Sequence, residues 1–154
     1  AIHEKTVVPL LVLDPDADLV DMLYESGRHL LKLMLNPESV GLLRITMGEF
    51  HDHPQLAKIA YALRATRGRS ATTVIAERLK IEMARGRLDH ADPFLAAESF
   101  VGSLSAHARH RTLIGLPPPS ADVLEEMLDL SVRIFTRGLD YRRSGGAQDG
   151  ADRG

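Results

Sequence analysis

His51, Asp52 and His53 occupy three consecutive positions, and His107 and His110 stand three residues apart, one turn of a helix. Imidazoles so spaced are the residue type that holds a transition metal. A structural site needs four ligands and a catalytic one three, and neither group supplies them. His51 and His53 lie in a polar break before Pro54, and His110 sits in the basic run Arg109-His110-Arg111, which suits the negative end of a helix. The turn Arg67-Gly68-Arg69-Ser70 lacks the glycine spacing of a phosphate loop. The paired Glu-x-x-His motifs of a di-iron bundle are also missing. With no cysteine there is no thiol nucleophile. The expectation is a protein without metal or cofactor and without catalytic activity.

What the residues offer instead is apolar surface with a few polar groups turned into it. On a helix beginning at Pro93, about 100° per residue brings Ala96, Phe100, Ser103 and His107 to one side. The helix after Asn36 offers Thr46, Met47 and Phe50, and the one after His53 offers Leu63 and Arg67. Facing one another across a bundle, these would line a pocket for a small hydrophobic or weakly acidic ligand. The same residues also fit a filled core with arginine stems lying along it.

The elements that would position them are helices throughout. Asp14-Pro15-Asp16, Asn36-Pro37-Glu38, His53-Pro54 and Asp92-Pro93 each place proline at or near a helix start. The spacing predicts a short helix over Ile2–Leu13, interrupted at Pro9, then helices over Asp16–Leu35, Pro37–His51, Pro54–Arg67 and Ser70–Arg85. Two longer helices follow, from Pro93 to Arg109 and from Ser120 towards Tyr141. The fold class is all-α, a bundle of about seven helices over residues 1–141. Residues 142–154 carry no large apolar side chain and are expected to form a disordered tail.

The last two helices have more apolar arc than one side of a small monomer needs. Phe94, Ala97, Val101, Leu104 and Ala108 recur at alternating steps of three and four, the spacing of a helix–helix seam. In the final helix Val123, Met127, Leu130 and Ile134 point one way, and Leu124, Leu128, Ser131 and Phe135 about 100° away. Two stripes suggest two partners, the chain's own core and a second copy in a dimeric four-helix bundle. One broad stripe in a monomer is the other reading.

Composition narrows the classes. At 154 residues with 44% hydrophobic and 26% charged residues, this is the makeup of one globular domain. A net charge of −2 and no tryptophan give neither a basic field nor an aromatic platform for nucleic acid. The longest apolar run, Val7–Leu13, is too short to span a bilayer, and with no signal-peptide pattern and no cysteine a cytoplasmic location is expected.

Three segments in order resemble regulators of the tetracycline-repressor (TetR) family. L-L-R-I-T-M-G-E-F-H-D-H-P-Q-L-A-K-I-A-Y (Leu42–Tyr61) is similar to their "helix, F-P-E-L, helix" segment. M-A-R-G-R-L-D-H-A-D-P-F-L-A-A-E-S-F-V-G-S-L (Met83–Leu104) resembles "A-A-R-G-x-L-x-x-x-D-P-x-x-A-A-x-x-F-x-G". L-I-G-L-P-P-P-S and V-R-I-F-T-R-G-L (Leu113–Ser120, Val132–Leu139) are similar to the closing "L-G-x-x-P-P-S … F-L-R-G". The resemblance covers about residues 37–141 and implies an effector-binding, dimerising domain of a homodimeric transcriptional regulator, usually a repressor released by a small ligand. Such regulators begin with a helix-turn-helix DNA reader ending in "Y-x-H-F-x-x-K". Nothing like it occurs here, so the chain is expected to be a fragment that meets DNA only through a missing N-terminal domain. The resemblance places the ligand among the helices at Asp16–Leu35, Pro37–His51, Pro54–Arg67 and Pro93–Arg109, with Ile2–Leu13 as a lever to the reading heads. A stand-alone helical dimerisation or protein-interaction domain with no ligand is the alternative.

Overall fold

The computed structural model describes residues 17–66 and 70–143. Among them are six helices, α1 Leu19–Met34, α2 Pro37–Asp52, α3 Pro54–Thr66, α4 Ala71–Ala84, α5 Pro93–Leu113 and α6 Ala121–Gly138. The helix expected over Ile2–Leu13 and the tail from residue 144 onward lie outside the described residues.

Helix starts follow local chemistry. The Asn36 side-chain Oδ1 accepts from the N–H groups of Glu38 and Ser39 ahead of α2, and the Asp92 carboxylate accepts from those of Phe94 and Leu95 ahead of α5. Both helices carry proline at the first turn, where its missing N–H costs nothing. Ser70 and Ser120 cap α4 and α6 in the same way. The beginning of α1 differs from expectation, with the N-cap at Asp18 rather than in Asp14-Pro15-Asp16. Tertiary contacts reinforce that choice, because the Asp18 carboxylate also accepts from Tyr141 Oη and Arg143 Nε, both at 3.1 Å.

At the other ends, α4 closes through Gly86 at φ +70, which lets Arg87 N–H return to the Glu82 carbonyl. Gly115 at φ +89 does the same for α5, with Leu116 N–H on the Arg111 carbonyl. α5 therefore runs one turn past the expected Arg109. Arg44 of α2 donates to the exposed carbonyls of Thr112 and Leu113, satisfying the C-terminal acceptors of α5 and complementing its dipole.

The core is made by α1, α4, α5 and α6. Leu19, Leu23 and Leu30 meet Ile75 and Leu79 of α4, Phe100 and Leu104 of α5, and Leu128 and Val132 of α6. α1 and α6 approach so closely at Gly27 that a Cβ there would lie 2.3 Å from Leu128 Cδ1. By contrast, among the described residues α2 buries only Val40 and α3 contacts α2 alone, so the α2–α3 hairpin stands against one side of this body.

One buried charge cluster ties three ends together. Glu82 on α4 is fully buried and is held by Arg78 Nε at 3.0 Å and Arg87 Nη2 at 2.7 Å. Arg78 reaches on to the Ala17 carbonyl ahead of α1, while the Arg87 carbonyl accepts from Arg142 N–H after α6. Burying Glu82 without these partners would cost several kcal/mol, so its burial depends on them.

Candidate interface and ligand-facing residues

α6 sorts its two stripes to opposite duties. Leu128 is fully buried, Leu124 and Phe135 pack against the core, and the Phe135 ring lies 5.3 Å from that of Phe100. The other stripe faces out. Val123, Leu130 and Ile134 are 44%, 49% and 63% exposed and Met127 is half-buried, although no polar residue interrupts them along the helix face. Glu126, Arg133 and Arg137 border this strip, and Arg133 pairs with Asp129 at 2.8 Å. An apolar centre with a charged edge is the anatomy of a contact surface between proteins.

On α5 the expected seam is corrected. Ala97, Val101, Leu104 and Ala108 are buried in the chain's own core, and of the five residues Phe94 alone is exposed. Their spacing of three and four marks a buried face, and it is covered within the chain, where α4, α1, α6 and α2 all contact α5. Flanked by exposed Glu98 and Ser103, the middle line of the face α5 turns outward is formed by Leu95, Ser99, Gly102 and Ala106. These were missed because three of them are too small to register as an apolar stripe. Small size at helical spacing is the signal that could have found them, since it lets a second helix approach closely.

The residues expected to hold a ligand separate into groups. Phe100 is in the core, with one per cent of its surface exposed, rather than on an open pocket wall. Ser103 is exposed and its hydroxyl donates to the Phe100 carbonyl, and His107 is exposed on the same helix. Both therefore lie outside the packed interior where the helical wheel would have put them. On α2, Thr46 is half-buried with its hydroxyl on the Leu42 carbonyl, Phe50 is half-buried, and Met47 is 54% exposed. The side chain of Leu63 and all of Arg67 lie outside the described residues. Among the described residues no three His, Asp or Glu side chains stand together as a metal set, and no helix is long and apolar enough to cross a membrane.

One set of coupled electrostatic perturbations lies at the base of α1. Burial alone would raise the Asp18 carboxyl, but hydrogen bonds from Arg143, the Val20 N–H and Tyr141 hold it below its ordinary value. Tyr141 is pushed up by burial and by the Asp18 charge. These groups join the end of α6 to the start of α1 and offer no nucleophile.

Comparison with known proteins agrees with this architecture. Two solved structures share the fold. One is a putative TetR-family transcriptional regulator from Mesorhizobium loti MAFF303099, 23% identical, with a TM-score of 0.69 over 80% of this chain and 61% of that one. The other is a TetR family transcriptional regulator from Pseudomonas syringae pv. tomato str. DC3000, 15% identical, with a TM-score of 0.68 over 84% of this chain and 65% of that one. The chain thus spans less than two thirds of the length of either. Comparison with curated proteins gives no match. Residues 21–139 match the family model described as the C-terminal domain of AefR-like transcriptional repressors. With more than half of its length so matched, the chain belongs to the family of AefR-like, TetR-type regulator C-terminal domains.

Proposed function

We propose that this chain is the dimerisation and ligand-sensing part of a transcriptional repressor, acting in the cytoplasm as a homodimer. The outward strip of Val123, Met127, Leu130 and Ile134 carries the reading. Exposed apolar side chains in an uninterrupted row along one helix mark an interaction surface. A second copy of the same helix offers an apolar strip of matching length across a two-fold axis. The small outward residues of α5 leave room for that helix to lie close.

In this proposal DNA is read by other residues of the regulator, since a chain of net charge −2 presents no electrostatic footprint for phosphates. A ligand changes DNA affinity only to the extent that it binds one dimer geometry more tightly than another. The residues that would respond are those joining α6 to α1, because Tyr141 and Arg143 after the interface helix hydrogen-bond Asp18 at the N-cap of α1. Light scattering tests the assembly directly, with a mass twice that of the chain expected at micromolar concentration. A monomer at about 100 μM, well above the dissociation constants of stable dimers, would overturn it.

A further inference from the structure

Between the C-terminal half of α1 and the start of α6 lies a cleft of about 350 Å3, separate from the outward strip of α6 and from the residues expected to hold a ligand. Its volume is at the lower end of small-molecule sites. Leu31, Leu35, Pro118, Pro119, Ala121 and Leu124 give it apolar walls. The two prolines have no N–H, so this part of the loop presents ring surface and no donor of its own.

Charge enters from α1 and α6 at the rim. Arg28 makes a bidentate pair with Glu125, with Nε 3.0 Å from Oε1 and Nη2 3.1 Å from Oε2, and its guanidinium lies over the Tyr24 ring at 5.6 Å. That pair fixes the guanidinium while leaving its Nη1 edge without a partner among the described residues. Lys32, one turn further along α1, lines the same cleft and likewise has no partner among them. Two cations and one carboxylate leave the rim with one uncompensated positive charge.

We propose that this cleft binds a small monocarboxylate with an apolar body, either aryl or medium-chain alkyl. The body covers the leucines and prolines, and the carboxylate meets Lys32 and the free edge of Arg28. A neutral ligand of the same shape would cover Lys32 without pairing it, and an ammonium would be repelled. Because the occupant touches α1 and α6 together, it favours one setting of those helices over others. That regulatory consequence rests on the reading of the chain as a ligand-sensing dimer, whereas the binding itself does not.

The test uses the whole chain with octanoate as probe and 1-octanol and octylammonium as isosteric controls, followed by calorimetry and thermal melting. Octanoate should bind and raise the melting temperature with the logarithm of its concentration, with the controls weaker. Lys32→Glu, at an exposed position, should lower octanoate affinity on the order of tenfold or more, as expected for loss of a charge-assisted contact. Ala121→Trp should abolish binding by filling the cleft while both cations remain. Octanol binding as tightly as octanoate, or Lys32→Glu or Ala121→Trp retaining full affinity, would overturn the proposal. A dimeric chain that fails to bind octanoate overturns the cleft alone, and a monomeric chain that binds it overturns the dimer reading alone.

Discussion

Replacing Leu130 at the middle of the outward strip of α6 gives the sharpest measure of the interface. Leu130 leaves 49% of its surface in water. Full burial of a leucine contributes about 1.5–3 kcal/mol, so covering the remaining half contributes about 1 kcal/mol. In a two-fold dimer the contact occurs in both copies, so Leu130→Ala should cost about 2 kcal/mol of association, roughly thirtyfold in Kd. Leu130→Glu adds a carboxylate from each copy to a dry seam and should weaken the dimer by about a thousandfold or more. Sedimentation velocity across a concentration series reads both values, and circular dichroism checks that each variant is folded. The side chain points away from the core, so the helix content should not change. If Leu130→Glu kept the native dissociation constant while remaining folded, the strip would not be the interface and the reasoning from exposure would fail.

Other substitutions probe the interior. Asp18 is held below its ordinary value of 3.8, so it stabilises the fold above that pH and loses this contribution as pH falls through its folded value. Asp18→Asn keeps a capping acceptor but removes the charge, so its deficit against the native chain should shrink in urea melts between pH 5 and 2; a constant deficit would show that the charge contributes nothing. Glu82→Gln leaves Arg78 and Arg87 facing a neutral group and should cost about 3 kcal/mol in urea unfolding, and a loss under about 1 kcal/mol would mean that water already reaches the cluster. Phe100→Ala should cost about 3–5 kcal/mol as a buried aromatic. A change below about 1 kcal/mol, measured the same way, would return Phe100 to the wall of an open pocket.

Local chemistry was legible in the sequence wherever one residue decides the structure. Asn36, Asp92 and Ser120 cap helices where their side chains and the following residues place them. The two stripes of α6 also separate by rotation alone, into an inward Leu124, Leu128 and Phe135 and an outward Val123, Leu130 and Ile134. What periodicity does not contain is the identity of the neighbour. Ala97, Val101, Leu104 and Ala108 have seam spacing whether the chain's own helices or a second chain covers them, and here they are buried within the chain. Rotation likewise places Ser103 and His107 near Phe100 without saying how far each is covered, and here Phe100 is buried while the other two are exposed. Glu82 was missed because an acid on a helix ordinarily faces water. Arg78 and Arg85, at four and three residues from it, were the available hint.

Gly27 of α1 governs the seating of α6. Leu128 occupies the space a side chain at position 27 would need, so the missing Cβ is what lets α1 and α6 pack this closely. A larger residue there would have to displace the Leu128 and Leu104 side chains. The setting of α6 against the core therefore depends on position 27 of α1, a residue that no periodicity of α6 itself would mark. The contrast is with α2, which among the described residues buries Val40 alone.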